Sequence, residues 1–154
     1  MKLLLDTSFI LELKKRNERA IEILRREAEN AEDVVVSQLT KYELMVGAYY
    51  LWLKNRSIKE KIWLDDFLKW VTIAHLSNEV IERTAKIKAK ALANGVSLPD
   101  MDLLIAVSVD PPVKLLTFDE DHGNMKQLLE NIGIAVEYLK TDTKLRSNKL
   151  YKKN

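Results

Sequence analysis

The chain has 154 residues, 47% hydrophobic and 31% charged, a balance that suits one globular domain and excludes a disordered one. It has no cysteine, which removes disulfides and zinc–thiolate sites, and its two histidines, His75 and His122, are too few for a zinc site of their own. The net charge of +2 hides an asymmetry, with −3 over residues 1–139 and +5 over residues 140–154.

The expected organisation is therefore a body domain over 1–139 and a basic tail over 140–154, either a solvated arm or one that touches phosphates. No apolar run approaches the ~18 residues of a membrane span. Asp6 interrupts the apolar opening too early for a secretory signal. A soluble, cytoplasmic protein is the expectation.

Lys2–Asp6 is a short apolar run closed by an acid and predicts a buried strand. Asn17–Asn30 predicts an amphipathic helix with Ala20, Ile21, Leu24, Ala28 and Ala31 on one face and Glu22–Arg26 as an i,i+4 pair. Asp33–Ser37 is β-branched and predicts a second strand. Helices are expected over Thr40–Lys54 and Ser57–Trp70, and a third strand over Val71–His75. Ser77 caps a long helix that runs to Asn94 and stops at Gly95. Pro99 precedes a helix from about Met101 to Val109, which Pro111-Pro112 ends. Val113–Thr117 is a fourth strand, Asn124–Asn131 a short helix and Ile134–Leu139 a fifth strand. This alternation defines an α/β fold, a three-layer α/β/α domain with a mainly parallel central sheet of four to five strands.

In such sheets function sits beyond the carboxyl ends of the strands. Asp6 ends the first strand, Glu43 follows the second, Asp102 opens the helix behind Pro99, and Asp119 follows the fourth strand. All four are predicted on one rim. Acids gathered there repel one another, a conflict that a hard cation such as Mg²⁺ or Mn²⁺ relieves. Such an ion also activates water against a phosphodiester. Each acid has a plainer reading. Thr40-Lys41-Tyr42-Glu43 fits a capping box, Asp102 suits a first helical turn, and Asp119 lies in a turn-like sequence. Asp6 is the hardest to dismiss, because an acid closing a buried strand is costly without a partner.

Four stretches, in order, resemble the PIN domains and, within them, the VapC-type ribonuclease toxins. They are Leu3-Leu4-Leu5-Asp6-Thr7-Ser8, Ser37 to Leu44 with Gly47 close behind, Asp102-Leu103-Leu104-Ile105-Ala106, and Leu115-Leu116-Thr117-Phe118-Asp119. The resemblance implies a Mg²⁺- or Mn²⁺-dependent endoribonuclease, usually dimeric, silenced by a small antitoxin protein that occupies the acidic cleft. It carries the family's acids over to Asp6, Glu43, Asp102 and Asp119, and its small polar residue to Ser8. Asp6, Asp102 and Asp119 then hold the metal, with Glu43 completing the pocket or touching the attacking water. The chain departs from the pattern at His122, where an aromatic is common, and in the segment Val107–Pro112. Asp100 and Asp121 are extra carboxylates, and Ser8 and Thr117 are hydroxyls able to orient acids.

Other surfaces bear on partners. The helix Thr40–Lys54 is apolar almost all round past its first turn, which predicts burial on two sides and, with Trp63 and Trp70, a homodimer face; the alternative is a thick local core. Lys88 falls inside the core arc of its helix and is expected to snorkel or to reach the acidic rim. Arg83, Lys86 and Lys90 lie opposite and suit solvent or an RNA backbone. Rival readings are a PIN-type RNA-processing scaffold that is no toxin, a receiver-type Mg²⁺-binding signalling domain, and a phosphatase with an aspartyl nucleophile. The receiver reading lacks paired acids near Asp6, and the phosphatase reading meets Ser8 where it needs a second Asp.

Overall fold

Leu3-Leu4-Leu5, Val34-Val35-Val36 and Val113 to Leu116 are runs that only a sheet covered on both faces can bury. In the computed structural model, which describes residues 1–141, they form its middle. The strands β1 (Lys2–Leu5), β2 (Val34–Ser37), β3 (Thr72–Ala74), β4 (Val113–Thr117) and β5 (Ile134–Tyr138) are ordered β3-β2-β1-β4-β5, every pairing parallel. The register sets Leu5 beside Val36 and Leu116, so three carboxyl ends arrive together.

Successive side chains feed opposite cores. Leu4, Val35, Leu115 and Val136 join Leu103 and Ala106 of α6 (Asp100–Ala106), Ala91 of α5 (Asn78–Ala93) and Leu129 of α8 (Lys126–Asn131). Leu3, Leu5, Val36 and Leu116 meet α1 (Thr7–Lys14), α2 (Glu18–Ala28), α3 (Gln38–Asn55) and α4 (Lys59–Trp70). The three-layer architecture is as expected. Phe9, fully buried, stacks on Phe118 with ring centroids 5.7 Å apart and ties α1 to the segment leaving β4.

Several local expectations are corrected. Thr7–Lys14 is helical, because Asp6 both ends β1 and caps α1 by accepting the Phe9 amide at 2.9 Å. The helix α3 starts earlier than the capping box implied. Ser37 caps it through the Leu39 amide, so Thr40 is buried inside the helix and Glu43 stands in its second turn. In α2 the buried residues are Ala20 and Ile23, while Ile21 is exposed. Arg26 pairs with Glu27 and Glu137 rather than Glu22, drawn to β5 by carboxylates at the sheet surface. The last helical region begins earlier and is split into α7 (Glu120–Asn124) and α8. Arg83 is engaged by Asp110 and the Val107 carbonyl. Lys88 binds the Leu98 carbonyl and lies 3.0 Å from Asp100. The basic tail from residue 142 onward lies outside the described residues.

Candidate active site

Asp6 is 1% exposed and its carboxylate is fully engaged. Oδ1 accepts the Ser8 hydroxyl at 2.6 Å and the Phe9 amide at 2.9 Å. Oδ2 accepts the Thr117 hydroxyl and faces Nδ1 of His122 at 2.7 Å. Four partners match the roughly four acceptor sites of a carboxylate, which is how a buried acid becomes tolerable. The two hydroxyls link outward as well: Ser8 accepts the Phe118 amide and Thr117 the Asp119 amide, each at 2.9 Å. The carboxyl ends of β1 and β4 are thus sewn together through Asp6.

His122 is fully buried. Its Nε2 lies 2.8 Å from the backbone carbonyl of Asp102, and because a carbonyl only accepts, Nε2 carries a hydrogen. Nδ1 faces a carboxylate, so a proton lies between that pair too. Burial pulls the imidazole's pKa down, but the hydrogen bond and charge of Asp6, aided by Asp102, prevail and raise it to about 9. Both ring nitrogens are in use. His122 thus pairs with Asp6 on one side and the Asp102 carbonyl on the other, and one ring nitrogen lies within 4.8 Å of a carboxylate oxygen of Asp6 and of Asp119.

A different set has oxygens to offer. Asp102, at the start of α6, Asp119, which caps α7 through the Asp121 amide at 2.9 Å, and Asp121 each bring one carboxylate oxygen within 4.8 Å of the other two. Burial, opposed by the charge of His122 and reinforced by Asp119 and Asp121, raises the Asp102 pKa to about 6. Three converging carboxylates, one of them reluctant to ionise, fit a hard divalent cation such as Mg²⁺ or Mn²⁺.

Of the four acids singled out in the sequence, Asp6, Asp102 and Asp119 gather at this rim. Glu43 joins neither close set among the described residues; it accepts the hydroxyl of Thr7, the first residue of α1, at 2.7 Å. Asp100 points to Lys88. In the sequence Asp121 stands only as an extra carboxylate and His122 only as a departure from the family pattern. The signal available was the run Asp119-Glu120-Asp121-His122, where a capping Asp followed three residues later by His turns the ring inward on a one-turn helix.

An apolar groove adjoins Glu43, lined by Leu11, Leu44, Ala48, Leu51, Trp63 and Leu64 between α1, α3 and α4. On the outward side of α3, Tyr42, Val46, Tyr49, Tyr50 and Leu53 stay exposed, so α4 covers only part of that helix.

The family model of the PIN domain matches residues 3–128, and the chain belongs to that family. No curated protein matches it by sequence. Among solved structures, VapBC2 from Rickettsia felis bound to a DNA fragment from its promoter aligns with a TM-score of 0.71 at 19% identity, covering 90% of this chain and 98% of that one. DNA-bound VapBC from Salmonella typhimurium gives 0.66 at 21% identity, covering 90% and 98%. FitAcB from Neisseria gonorrhoeae gives 0.63 at 24%, covering 87% and 95%. At these identities the likeness is one of fold.

Proposed function

We propose that the protein is a divalent-metal-dependent endoribonuclease and the toxin component of a toxin–antitoxin pair. The observation that carries this reading is the convergence of Asp102, Asp119 and Asp121 beside Asp6 at the carboxyl rim of a PIN-type sheet. When bound, Mg²⁺ or Mn²⁺ supplies water activation and charge stabilisation on the phosphodiester. Asp102, Asp119 and Asp121 hold the ion, Asp6 supports the site from behind, and Glu43 flanks the approach to it. The exposed Asp121 keeps one side of the pocket open to a nucleic-acid backbone, while buried Asp6 and His122 close the other.

Solved relatives with this fold include VapBC and FitAB assemblies and a toxin–antitoxin complex, which supports an antitoxin as this chain's partner. The groove between α1, α3 and α4 suits an apolar helix of that partner, since it is apolar and ends at Glu43. The exposed aromatic side of α3 suits a second copy, and a sedimentation mass of one chain at micromolar concentration would exclude the homodimer.

The function is tested with purified protein and a mixed RNA pool. Cleavage is expected with Mg²⁺ or Mn²⁺, lost in chelator and lost in Asp102→Asn. Equal cleavage by wild type and Asp102→Asn overturns the assignment.

A further inference from the structure

The ring of His122 bridges two elements that hydrogen bonding does not otherwise join at this rim among the contacts described above: the end of β1, through the Asp6 carboxylate, and the first turn of α6, through the Asp102 carbonyl. The first anchor is rigid. Asp6 is held by the Ser8 and Thr117 hydroxyls and the Phe9 amide, and its surroundings are the fully buried Leu5, Phe9 and Leu116. The second anchor is the residue whose own side chain joins Asp119 and Asp121 in the close carboxylate set. α6 begins after Pro99 without a side-chain cap, so its first turn takes its position from other contacts.

We propose that His122 is a positioning residue: by fastening the Asp102 backbone to the Asp6 carboxylate, it sets where the Asp102 side chain stands relative to Asp119 and Asp121. This inference rests on the cation-site reading above and assigns within it a role to a residue outside the expected acidic quartet. Asp6 then acts through the ring, as an orienting carboxylate does behind a histidine.

Gly123 supports the arrangement. A Cβ there would fall 2.9 Å from the Tyr138 ring, so the glycine lets α7 lie close on β5 and seat the preceding histidine beneath the rim. Asp119 fixes the same turn from its start. The ring is thus placed by Gly123 and Asp119 of its own turn as well as by its two partners.

The test measures Mn²⁺ binding by calorimetry and the electron paramagnetic resonance spectrum of bound Mn²⁺, without RNA, on the full chain. Wild type, His122→Phe, His122→Gln and Asp102→Asn are compared, each checked for cooperative melting. His122→Phe keeps a buried ring and loses both donors; its Mn²⁺ affinity is expected to fall about 10–100-fold, the usual cost of losing an outer hydrogen-bond partner of a metal site. The spectrum is expected to broaden as the carboxylates lose their fixed spacing. His122→Gln keeps a donor able to reach the Asp102 carbonyl and is expected to recover part of the affinity.

Affinity within twofold of wild type in His122→Phe, with an unchanged spectrum, overturns the proposal. If His122→Phe does not fold, His122→Gln is judged by the same twofold limit. Wild type that binds Mn²⁺ yet leaves RNA intact defeats the nuclease reading alone, because the effect of His122 on the ion can still be read. Equal Mn²⁺ binding by wild type and Asp102→Asn overturns both.

Discussion

Nδ1 of His122 lies 2.7 Å from Oδ2 of Asp6, a separation of 116 residues in sequence closed inside a fully buried pocket. The pair lends the fold a pH dependence. Folding raises the His122 pKa from 6.5 to about 9, so its stabilisation is complete below pH 6.5 and is lost as the pH climbs through about 9. The difference in melting temperature between wild type and His122→Phe is expected to shrink across that window. A constant difference from pH 6 to pH 10 would show that the ring is not charged in the folded protein.

Asp6→Asn is expected to be a damaging change rather than a clean catalytic knockout. The amide cannot receive four donors, and it leaves the imidazolium buried without its counter-charge. Breaking one side of a buried ion pair costs about 3–5 kcal/mol, a large share of a domain's stability. Denaturant unfolding measures this, and loss of less than about 1 kcal/mol would contradict the pairing.

Asp102→Asn is expected to behave in the opposite way. The Asp102 pKa is raised to about 6 from 3.8, so above pH 6 its charged form works against the fold when no cation is bound. The metal-free variant should melt a few degrees higher than wild type and lose the additional rise that Mn²⁺ gives the wild type. For the same reason, Mn²⁺ affinity of the wild type should increase between about pH 4 and pH 6 and flatten above, as the carboxyl gives up its proton. A wild type less tightly bound at pH 7 than at pH 5 reverses the expected sign.

Strand-forming runs made most of the fold legible in the sequence. Leu3-Leu4-Leu5, Val34-Val35-Val36 and Val113–Thr117 are too apolar and too short for anything but the inside of a parallel sheet. Helix starts were less legible, because Asp6 and Ser37 each serve two elements at once, closing a strand and capping the helix that follows directly. With no connecting turn to mark the change, α1 went unseen and Thr40 took the cap that belongs to Ser37. Asp6, Asp102 and Asp119 share the expected rim because Asp6 and Asp119 follow neighbouring parallel strands and Asp102 opens the helix α6. Glu43 joins neither close set and accepts the Thr7 hydroxyl instead. The role of His122 depends on the ring's depth, which no local pattern encodes.

Gly123→Ala tests how tightly α7 must lie on the sheet. The new methyl would meet the Tyr138 ring at 2.9 Å, and such overpacking typically costs about 1–3 kcal/mol. Trimming the ring in Gly123→Ala/Tyr138→Leu should return part of that loss, so the two changes are non-additive. Strict additivity in a double-mutant cycle would place the strain elsewhere.

β1 lies at the centre of the sheet with β4 beside it, and the acids of the rim come from residues 6, 102, 119 and 121. The trio Asp102, Asp119 and Asp121 therefore exists only once the segment from α6 to α7 has docked beside the strand that ends at Asp6. A fragment of this fold that stops before residue 102 has no such trio at its rim.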